Sequence, residues 1–347
     1  MHFASDNTTG AAPEVWAALA QANAGNAPSY GADHWTQSAQ AKMRALFERD
    51  VAVFPVVSGV AANCLAISAY CGRTSSVFAH DEAHILVHEA TAPEFYTGAR
   101  FVPVPGQHGK IDPRALADAL ARSGRGDLHC PQAAVLSLTQ ATEVGTVYHP
   151  AEIAELSRIA HDAGMRVHMD GARFVNAVAA LGCSPAEVTW RAGVDVLSFG
   201  LTKNGALAAE AVVFFDPGHA AEFAFLRKRA GHLVSKMRFV SAQIDAMLED
   251  GLWLRLAQHA NRAALRLADG LASIKGVHFD IPVQSNSIFP IMDGGLCAAL
   301  QEKGAHFYPW GGPQPDGAQR VRLVTSFLTS DQDIERFVTL ARTLSGA

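Results

Sequence analysis

The sequence has little of what marks a secreted, zinc-binding or membrane-spanning protein. Its 347 residues contain only five cysteines, an odd number without a C-x-x-C pair, which argues against a disulfide framework or a zinc site. The longest apolar-looking stretch, residues 55–72, is interrupted by polar residues and glycines, so we do not expect it to cross a membrane. The first residues lack a basic region followed by an apolar core, so we expect no secretory signal and a cytoplasmic location.

Positive charge is scarce as well. The net charge is −5 and the densest basic stretch, residues 227–229, is short, so the chain offers no basic field for nucleic acid. No cluster of potential metal ligands stands out along the chain. We therefore expect no nucleic acid, no membrane and no metal ion as partner. The remaining composition, 49% hydrophobic and 18% charged, is typical of a soluble protein with a substantial interior.

Between about residue 50 and residue 215 the sequence alternates short β-branched segments with longer helical patterns. This alternation predicts an α/β domain with a mainly parallel sheet and helices on both faces, and in such sheets ligands gather at the carboxyl ends of the strands. The predicted strands are 51–57, 76–79, 100–103, 133–139, 166–169, 194–198 and 211–215, and the predicted helices between them are 59–70, 113–121 and 150–163.

After residue 220 the pattern changes. Helices are predicted at 218–235, 241–274, 295–303 and 331–344, strands at 277–281, 287–291 and 321–324, and a loop at 309–317. A chain of this length is too long for one minimal core. We therefore predict a large domain over residues 1–240, whose N-terminal segment contributes to the active site, and a small α+β domain over residues 241–347.

An acid and a lysine follow two of the predicted strands. Asp170 lies in the segment H-M-D-G-A-R that ends at Arg173, and Lys203 follows in T-K-N-G. Pyridoxal phosphate needs a lysine to hold its aldehyde as a Schiff base and an acid to keep its ring nitrogen protonated. The pair therefore predicts this cofactor and chemistry at the α-carbon of an amino acid. Alone, the lysine would be read as a surface residue and the D-G pair as a turn.

Other candidates have a chemical reason of their own. A predicted helix begins at Ser58, Gly59 and Val60, and its N-terminus would bind a phosphate. The alternative is that Ser58 only caps the helix. Arg173 suits a carboxylate or the phenolic oxygen of the cofactor. His84 could stack on the ring or transfer protons.

Further candidates lie elsewhere in the sequence. His80, His88 and His129 are rivals of His84, and His129 lies just before the strand at 133–139, pointing either toward the same strand ends or away from them. Ser5 is a candidate near the N-terminus. Arg322 lies within a predicted strand, where burial is costly unless a substrate carboxylate compensates it; an edge strand facing water is the alternative.

With these residues assembled, the chain resembles the low-specificity L-threonine aldolases, which belong to the fold-type-I β-eliminating lyases that use pyridoxal phosphate. The spacing of His84 to Glu89 makes His84, rather than His80 or His88, the matching histidine. The resemblance runs nearly end to end, through Ser5 to Thr8, Tyr30-Gly31, Asp33, Ser58-Gly59, Ala62-Asn63, His84, Glu89, His129, Asp170 to Arg173, Lys203, Met237-Arg238 and Val321 to Thr325.

The resemblance implies a transferase-like fold with a seven-stranded sheet and a role for each candidate. Lys203 would form the Schiff base, Asp170 would pair with the ring nitrogen, and His84 would stack on the ring. The other implied roles are phosphate binding by Ser58, Gly59, Val60 and, from a neighbouring subunit, Arg238; carboxylate binding by Ser5, Arg173 and Arg322; and handling of the substrate hydroxyl by His84 and His129. The family forms homotetramers, dimers of dimers with shared sites.

The implied reaction is retro-aldol cleavage of L-threonine or L-allo-threonine to glycine and an aldehyde. Three alternatives stay open: an aldolase that prefers phenylserine or another bulky substrate, a β-eliminating lyase, and a non-catalytic binding or regulatory protein on the same fold. The intact Lys203 and Asp170 argue against the last. Departures from the commoner family pattern at Val60, at residues 231–236 and at residues 139–143 leave the reaction class intact but weaken any claim about side-chain specificity.

Overall fold

The computed structural model describes residues 1–312 and 314–346, and within them strands and helices alternate as an α/β fold. The strands are Ala52–Val56 (β1), Ser75–His80 (β2), Arg100–Val104 (β3), Gly106–Gln107 (β4), Lys110–Ile111 (β5), Gln132–Thr139 (β6), Arg166–Gly171 (β7), Val196–Gly200 (β8), Glu210–Phe214 (β9), Ser287–Ile288 (β10), Ile291–Asp293 (β11), Tyr308–Pro309 (β12) and Ala318–Val324 (β13). The α-helices are Pro13–Ala22 (α1), His34–Leu46 (α2), Gly59–Ser68 (α3), His84–Val87 (α4), Ala92–Thr97 (α5), Pro113–Ala121 (α6), Pro150–Asp162 (α7), Phe174–Leu181 (α8), Phe223–Arg229 (α9), Arg238–Leu248 (α10), Leu252–Ala272 (α11), Gly294–Glu302 (α12) and Asp331–Leu344 (α13).

Seven strands form the central sheet, in the order β1-β9-β8-β7-β6-β2-β3. Strand β9 runs antiparallel to both of its neighbours, and the other adjacent pairs are parallel. Val213 belongs to the apolar core on one face, whereas Val212 and Phe214 pack with α3 on the other. Strands covered on both faces need continuous apolar runs, and β9 has one after its first residue. The predicted fold class is confirmed.

The parallel direction of these strands brings distant parts of the sequence to one edge of the sheet. Strand β1 is followed by α3, β2 by α4, and β8 by a short 3-10 helix, Thr202–Asn204. In the register of β6 and β7, Thr139 lies beside Asp170, and Asp170 in turn pairs with Ser198 of β8. The residues that follow the strands therefore meet at the carboxyl edge.

The C-terminal part contains a small antiparallel sheet, in which β13 pairs with β10 and β11 on one side and with β12 on the other. The chain's first residues also pack here. Phe3 is fully buried in this core; its N–H donates to the carbonyl of His306 at 2.8 Å, and its carbonyl accepts from the N–H of Val324 at 2.8 Å. The N-terminus is thus tied to the C-terminal sheet, and the division between residues 1–240 and 241–347 stays a prediction.

Several elements predicted after residue 217 are wrong in detail. The strand predicted at 287–291 is two short strands, β10 and β11, separated by residues 289–290. The strand at 277–281 is reduced to a single bridge between His278 and Ile291. The helix at 218–235 shortens to α9, and Gly231 follows it with φ +78°. The helix at 241–274 is two helices, because Asp250 and Gly251 adopt positive φ between α10 and α11.

Of the loop at 309–317, Pro309 belongs to β12 and Pro313 lies outside the described residues. Across the described ranges, no helix is both long and apolar enough to span a bilayer.

Candidate active site

A cavity of about 300 Å³ opens at the carboxyl edge of the central sheet. It contains seven of the residues predicted from the sequence, which is the arrangement that a shared edge of parallel strands produces. Its lining is Asn7, Val57, Ser58, Gly59, Val60, Asn63, His84, Glu89, Thr139, Ala141, Thr142, Glu143, Asp170, Ala172, Arg173, Thr202, Lys203 and Glu210.

Asp170 is held rigidly near the end of β7. Its side chain is buried, and Oδ2 accepts a hydrogen bond from Asn63 Nδ2 at 2.9 Å while Oδ1 accepts from the N–H of Ala172 at 3.0 Å. A buried carboxylate is stable only when such donors compensate its desolvation. Asn63 lies on α3, so its role as a support for Asp170 could not be read from the sequence motif around Asp170.

His84 begins α4 and is oriented by Glu89. Its Nδ1 lies 2.9 Å from Oε1 of the buried Glu89, which also accepts from Asn63 Nδ2 at 3.0 Å. Because a carboxylate only accepts, Nδ1 carries a hydrogen, and in the neutral ring the lone pair therefore lies on Nε2. Asn63 thus connects the two acids Glu89 and Asp170, and the imidazole of His84 lines the cavity with the nitrogen that can accept a proton.

Lys203 follows β8 and is half-buried at the cavity wall. Among the described residues, no carboxylate lies within 4.0 Å of its Nζ. Burial lowers the pKa of Lys203 and the nearby Arg173 lowers it further, while Asp6, Asp170 and Glu210 act in the opposite direction. A lowered pKa favours the neutral amine, which is the nucleophilic form of a lysine.

Arg173 is paired with an acid from the N-terminal segment. Its Nε and Nη2 donate to the two carboxylate oxygens of Asp6 at 2.8 and 2.9 Å, and Asn286 Nδ2 donates to Asp6 at 3.0 Å. Burial alone would raise the pKa of Asp6, but Arg173 brings that pKa below its ordinary value. This bidentate pair fixes the N-terminal segment against the cavity and leaves Nη1 of Arg173 without a hydrogen bond to the part of the chain described.

The N-terminus of α3 forms an open cradle. Ser58 caps the helix, accepting from the N–H of Ala61 at 3.3 Å, and Val60 is 38% exposed. A Cβ built on Gly59 would meet no heavy atom within 4 Å, so the backbone here faces empty space. Unpaired N–H groups at the start of a helix attract anions, and the missing side chain lets an anion approach them.

Two acids of the cavity, the buried Glu210 and the half-buried Glu143, were missed by the sequence reasoning. Burial raises the pKa of Glu143 and of Glu210 to about 7 in each case. Oε1 of Glu143 accepts from the N–H of His84 at 2.8 Å and from Thr139 Oγ1 at 2.9 Å, whereas Oε2 of Glu210 accepts from the N–H of Leu201 at 3.2 Å. For Glu210 a signal was available, since an acid that opens the apolar segment E-A-V-V-F is unusual in a buried strand.

Ser5 and Arg322 lie next to the cavity rather than in its lining. Ser5 Oγ accepts from the N–H of Asn7 at 3.1 Å and so caps a short 3-10 helix, Asp6–Thr8. Arg322 donates to the carbonyl of Ala4 at 3.2 Å. Burial lowers the pKa of Arg322 and the charge of Arg173 lowers it further, while Asp6 acts in the opposite direction. It lies on a strand paired on both sides, not on an edge strand facing water.

Arg238 and His129 are not brought to the cavity within one chain. Arg238 is the first residue of α10, where its Nη1 donates to the carbonyl of Gly25 at 3.2 Å. His129 is exposed in the loop that precedes β6. Strand β6 rises ~23 Å between that loop and Thr139 at the cavity, so His129 lies at the opposite edge of the sheet. The sequence left open whether His129 points toward the strand ends at the cavity or away from them. Within one chain it lies away from the cavity.

The fold and the site define the class of protein. A mainly parallel seven-stranded sheet, with a hydrogen-bonded acid and a half-buried lysine at its carboxyl edge, is the architecture of fold-type-I enzymes. The chain belongs to the beta-eliminating lyase family, which it matches over residues 2–293. It is 45% identical over 342 residues to the low specificity L-threonine aldolase of Pseudomonas aeruginosa, covering 98% of this chain and 96% of that protein.

Solved structures agree with this family assignment and fold. The threonine aldolase of Leishmania major superimposes with a TM-score of 0.93 at 27% identity, covering 99% of each chain. The serine palmitoyltransferase of Sphingomonas wittichii superimposes with a TM-score of 0.73 at 17% identity, covering all of this chain and 88% of that one, and this likeness concerns the fold alone. The resemblance to threonine aldolases drawn from the motifs is confirmed.

Proposed function

We propose that this chain is a pyridoxal-phosphate-dependent carbon–carbon lyase that cleaves L-threonine, L-allo-threonine and related β-hydroxy-α-amino acids to glycine and an aldehyde. One observation carries the proposal: the cavity combines the hydrogen-bonded acid Asp170, the half-buried lysine Lys203, and His84, whose Nε2 can accept a proton when the ring is neutral. The 45% identity to an enzyme named for this reaction, over 98% of the chain, supports it.

The residues of the cavity fit pyridoxal phosphate. The open space over Gly59 at the N-terminus of α3 suits the phosphate, the fixed carboxylate of Asp170 suits the ring nitrogen, and the amine of Lys203 suits the aldehyde carbon. Val60 adds no hydroxyl, so backbone N–H groups and the Ser58 side chain are the contacts available at the phosphate. When bound, the cofactor supplies an electron sink for the electron pair released at the α-carbon of the substrate.

The protein's own groups account for binding and proton transfer. Arg322, Nη1 of Arg173 and Ser5 would hold the substrate carboxylate, because guanidinium groups bind carboxylates through directed hydrogen bonds. Nε2 of His84, directly or through a water, would take the proton from the substrate hydroxyl, while Glu89 stabilises the imidazolium that forms. The Cα–Cβ bond then breaks, the aldehyde leaves, and a proton added at Cα gives glycine.

The proposal also includes the assembly and the location of the protein. The chain would form a homotetramer, a dimer of dimers with shared active sites, in the cytoplasm. Exposed apolar side chains lie on the elements that border the cavity, and a second copy packed on them would remove them from water. They include Val60, Val87, Phe95, Tyr96 and Leu207, with exposures between 38% and 83%. In such an assembly, His129 and Arg238 of one copy would contribute to the cavity of the neighbouring copy.

The test is incubation of purified protein with L-threonine, L-allo-threonine and phenylserine, followed by measurement of aldehyde and glycine. Aldol cleavage yields these two products, whereas β-elimination yields a keto acid and ammonia. Relative rates with phenylserine decide whether a bulky substrate is preferred. A Lys203→Ala variant should lose both turnover and the near-visible absorbance of the Schiff base, and a variant that keeps both would refute the assignment of the cofactor.

A further inference from the structure

Lys203 and Glu210 are held together by one short hairpin. Strands β8 and β9 are antiparallel with Gly200 opposite Glu210, so the connection between them returns the chain to the same edge of the sheet. The N–H of Leu201 donates to Glu210 Oε2 at 3.2 Å, and the N–H of Ala209 donates to Oγ1 of Thr202 at 3.2 Å. Both the amine and the carboxyl group therefore line the cavity from a single closed loop.

Unlike Asp170 and Glu89, Glu210 has no charged or side-chain amide partner among the described residues. Asp170 is bonded by Asn63, and Glu89 by Asn63 and His84. Glu210 is 6% exposed, and within the described ranges no lysine, arginine or histidine nitrogen lies within 4.0 Å of its carboxyl group. A buried carboxyl group without a counter-ion favours its neutral form, and burial raises the pKa of Glu210 to about 7.

The charges that face Lys203 come from several elements. They are Asp6 of the N-terminal segment, Asp170 of β7, Arg173 at the start of α8 and Glu210 of β9, and the titratable groups His84, Glu89 and Glu143 line the rest of the cavity. Asp6 is ionised through its pair with Arg173, so its effect on Lys203 is constant near neutral pH. Glu210 instead changes its charge in that range, and its ionised form stabilises the charged form of the amine.

We propose that Glu210 is a positioning residue that sets the protonation of Lys203, leaving the nitrogen of Lys203 neutral while Glu210 carries a proton and favouring its charged form when Glu210 is ionised. The proposal rests on the use of Lys203 for pyridoxal phosphate put forward above. It assigns Glu210 no contact with the substrate. Its effect acts through the charge felt at one nitrogen atom, and it is therefore visible without any amino-acid substrate.

The test is a pH titration of the Schiff-base absorbance in holoenzyme without amino acid, comparing wild type with Glu210→Gln. Glutamine keeps the acceptor for the N–H of Leu201 but never ionises. Because a unit charge several ångströms away at an effective dielectric near 20 shifts a pKa by roughly one unit, we expect the midpoint in Glu210→Gln to fall by about one pH unit. Glu210→Asp, which keeps an ionisable group, should move the midpoint back toward the wild-type value.

Glu143→Gln is the matched control. Glu143 is another acid of the same cavity, half-buried where Glu210 is buried, but it accepts from the N–H of His84 and from Thr139 Oγ1 and is not among the charges that act on Lys203. Its variant should keep the wild-type midpoint. A midpoint that is unchanged in Glu210→Gln, or that shifts equally in Glu143→Gln, would overturn the role of Glu210.

Two further outcomes are informative. If wild-type protein shows no Schiff-base absorbance that Lys203→Ala removes, the proposed function fails, and the proposal for Glu210 falls with it. If Glu210→Gln does not fold, the wild-type titration decides. If Glu210 titrates together with the Schiff base, the wild-type absorbance curve is broader than a single-proton titration. A single-proton curve in wild type that is unchanged in Glu210→Asp would refute the proposal.

Discussion

The buried pair of Arg173 and Asp6 offers the sharpest test of the described geometry. The substitution Asp6→Asn keeps the size of the side chain and removes its charge, which leaves the half-buried Arg173 without its paired carboxylate. Asp6 is 1% exposed and accepts two bonds from Arg173 at 2.8 and 2.9 Å. Removing one partner of such a pair costs about 3–5 kcal/mol, and because asparagine can still accept one of these bonds we expect about 3 kcal/mol.

The assay is urea unfolding of the variant and wild type near neutral pH and again at acid pH. Because the native pKa of Asp6 lies below its unfolded value of about 3.9, the ionised carboxylate stabilises the fold above that pH, and this stabilisation is lost as the pH falls through the native pKa. The difference between Asp6→Asn and wild type should therefore be full near neutral pH and should shrink at acid pH.

A solvent-exposed pair provides the control. Arg158 and Asp162 lie one helical turn apart with side chains 65% and 69% exposed, so Asp162→Asn should cost no more than about 0.5 kcal/mol. If Asp6→Asn cost as little as Asp162→Asn near neutral pH, the buried bidentate pair would not exist as described. A penalty in Asp6→Asn that did not change with pH would show that the loss comes from packing rather than from charge.

Other parts of the site make predictions of their own. Gly59→Ala should leave the stability of the fold nearly unchanged, because the added Cβ meets no atom, but should weaken binding of pyridoxal phosphate by roughly tenfold or more, measured by absorbance titration. Glu89→Gln should lower kcat by roughly a hundredfold with a smaller change in KM, since His84 loses the carboxylate that orients Nδ1 and stabilises its charged form; an unchanged kcat would exclude that role of Glu89. Inactive Lys203→Ala protein mixed with His129→Asn protein through unfolding and refolding should regain part of the lost activity if a neighbouring copy supplies His129, whereas no recovery would exclude a shared site.

Local sequence patterns determined the class of fold and the central pair of residues. The alternation of strand and helix segments predicted the mainly parallel sheet, because the periodicity of each segment depends only on residues near in sequence. Asp170 and Lys203 could be recognised because each directly follows a predicted strand. The C-terminal part was predicted less well: a glycine and an aspartate with positive φ divide α10 from α11, and the apolar pattern on either side carried no sign of the break.

Only the tertiary structure decided which distant residues support that pair. Asp6 reaches Arg173, 167 positions away, because Phe3 ties the N-terminus to the C-terminal sheet, and Asn63 joins Glu89 to Asp170 because α3 packs between them. Such contacts depend on strand order and register, which no local pattern encodes. The same long-range geometry places His129 at the far edge of the sheet and brings Glu210, which opens the apolar segment of β9, to the cavity wall that also contains Lys203.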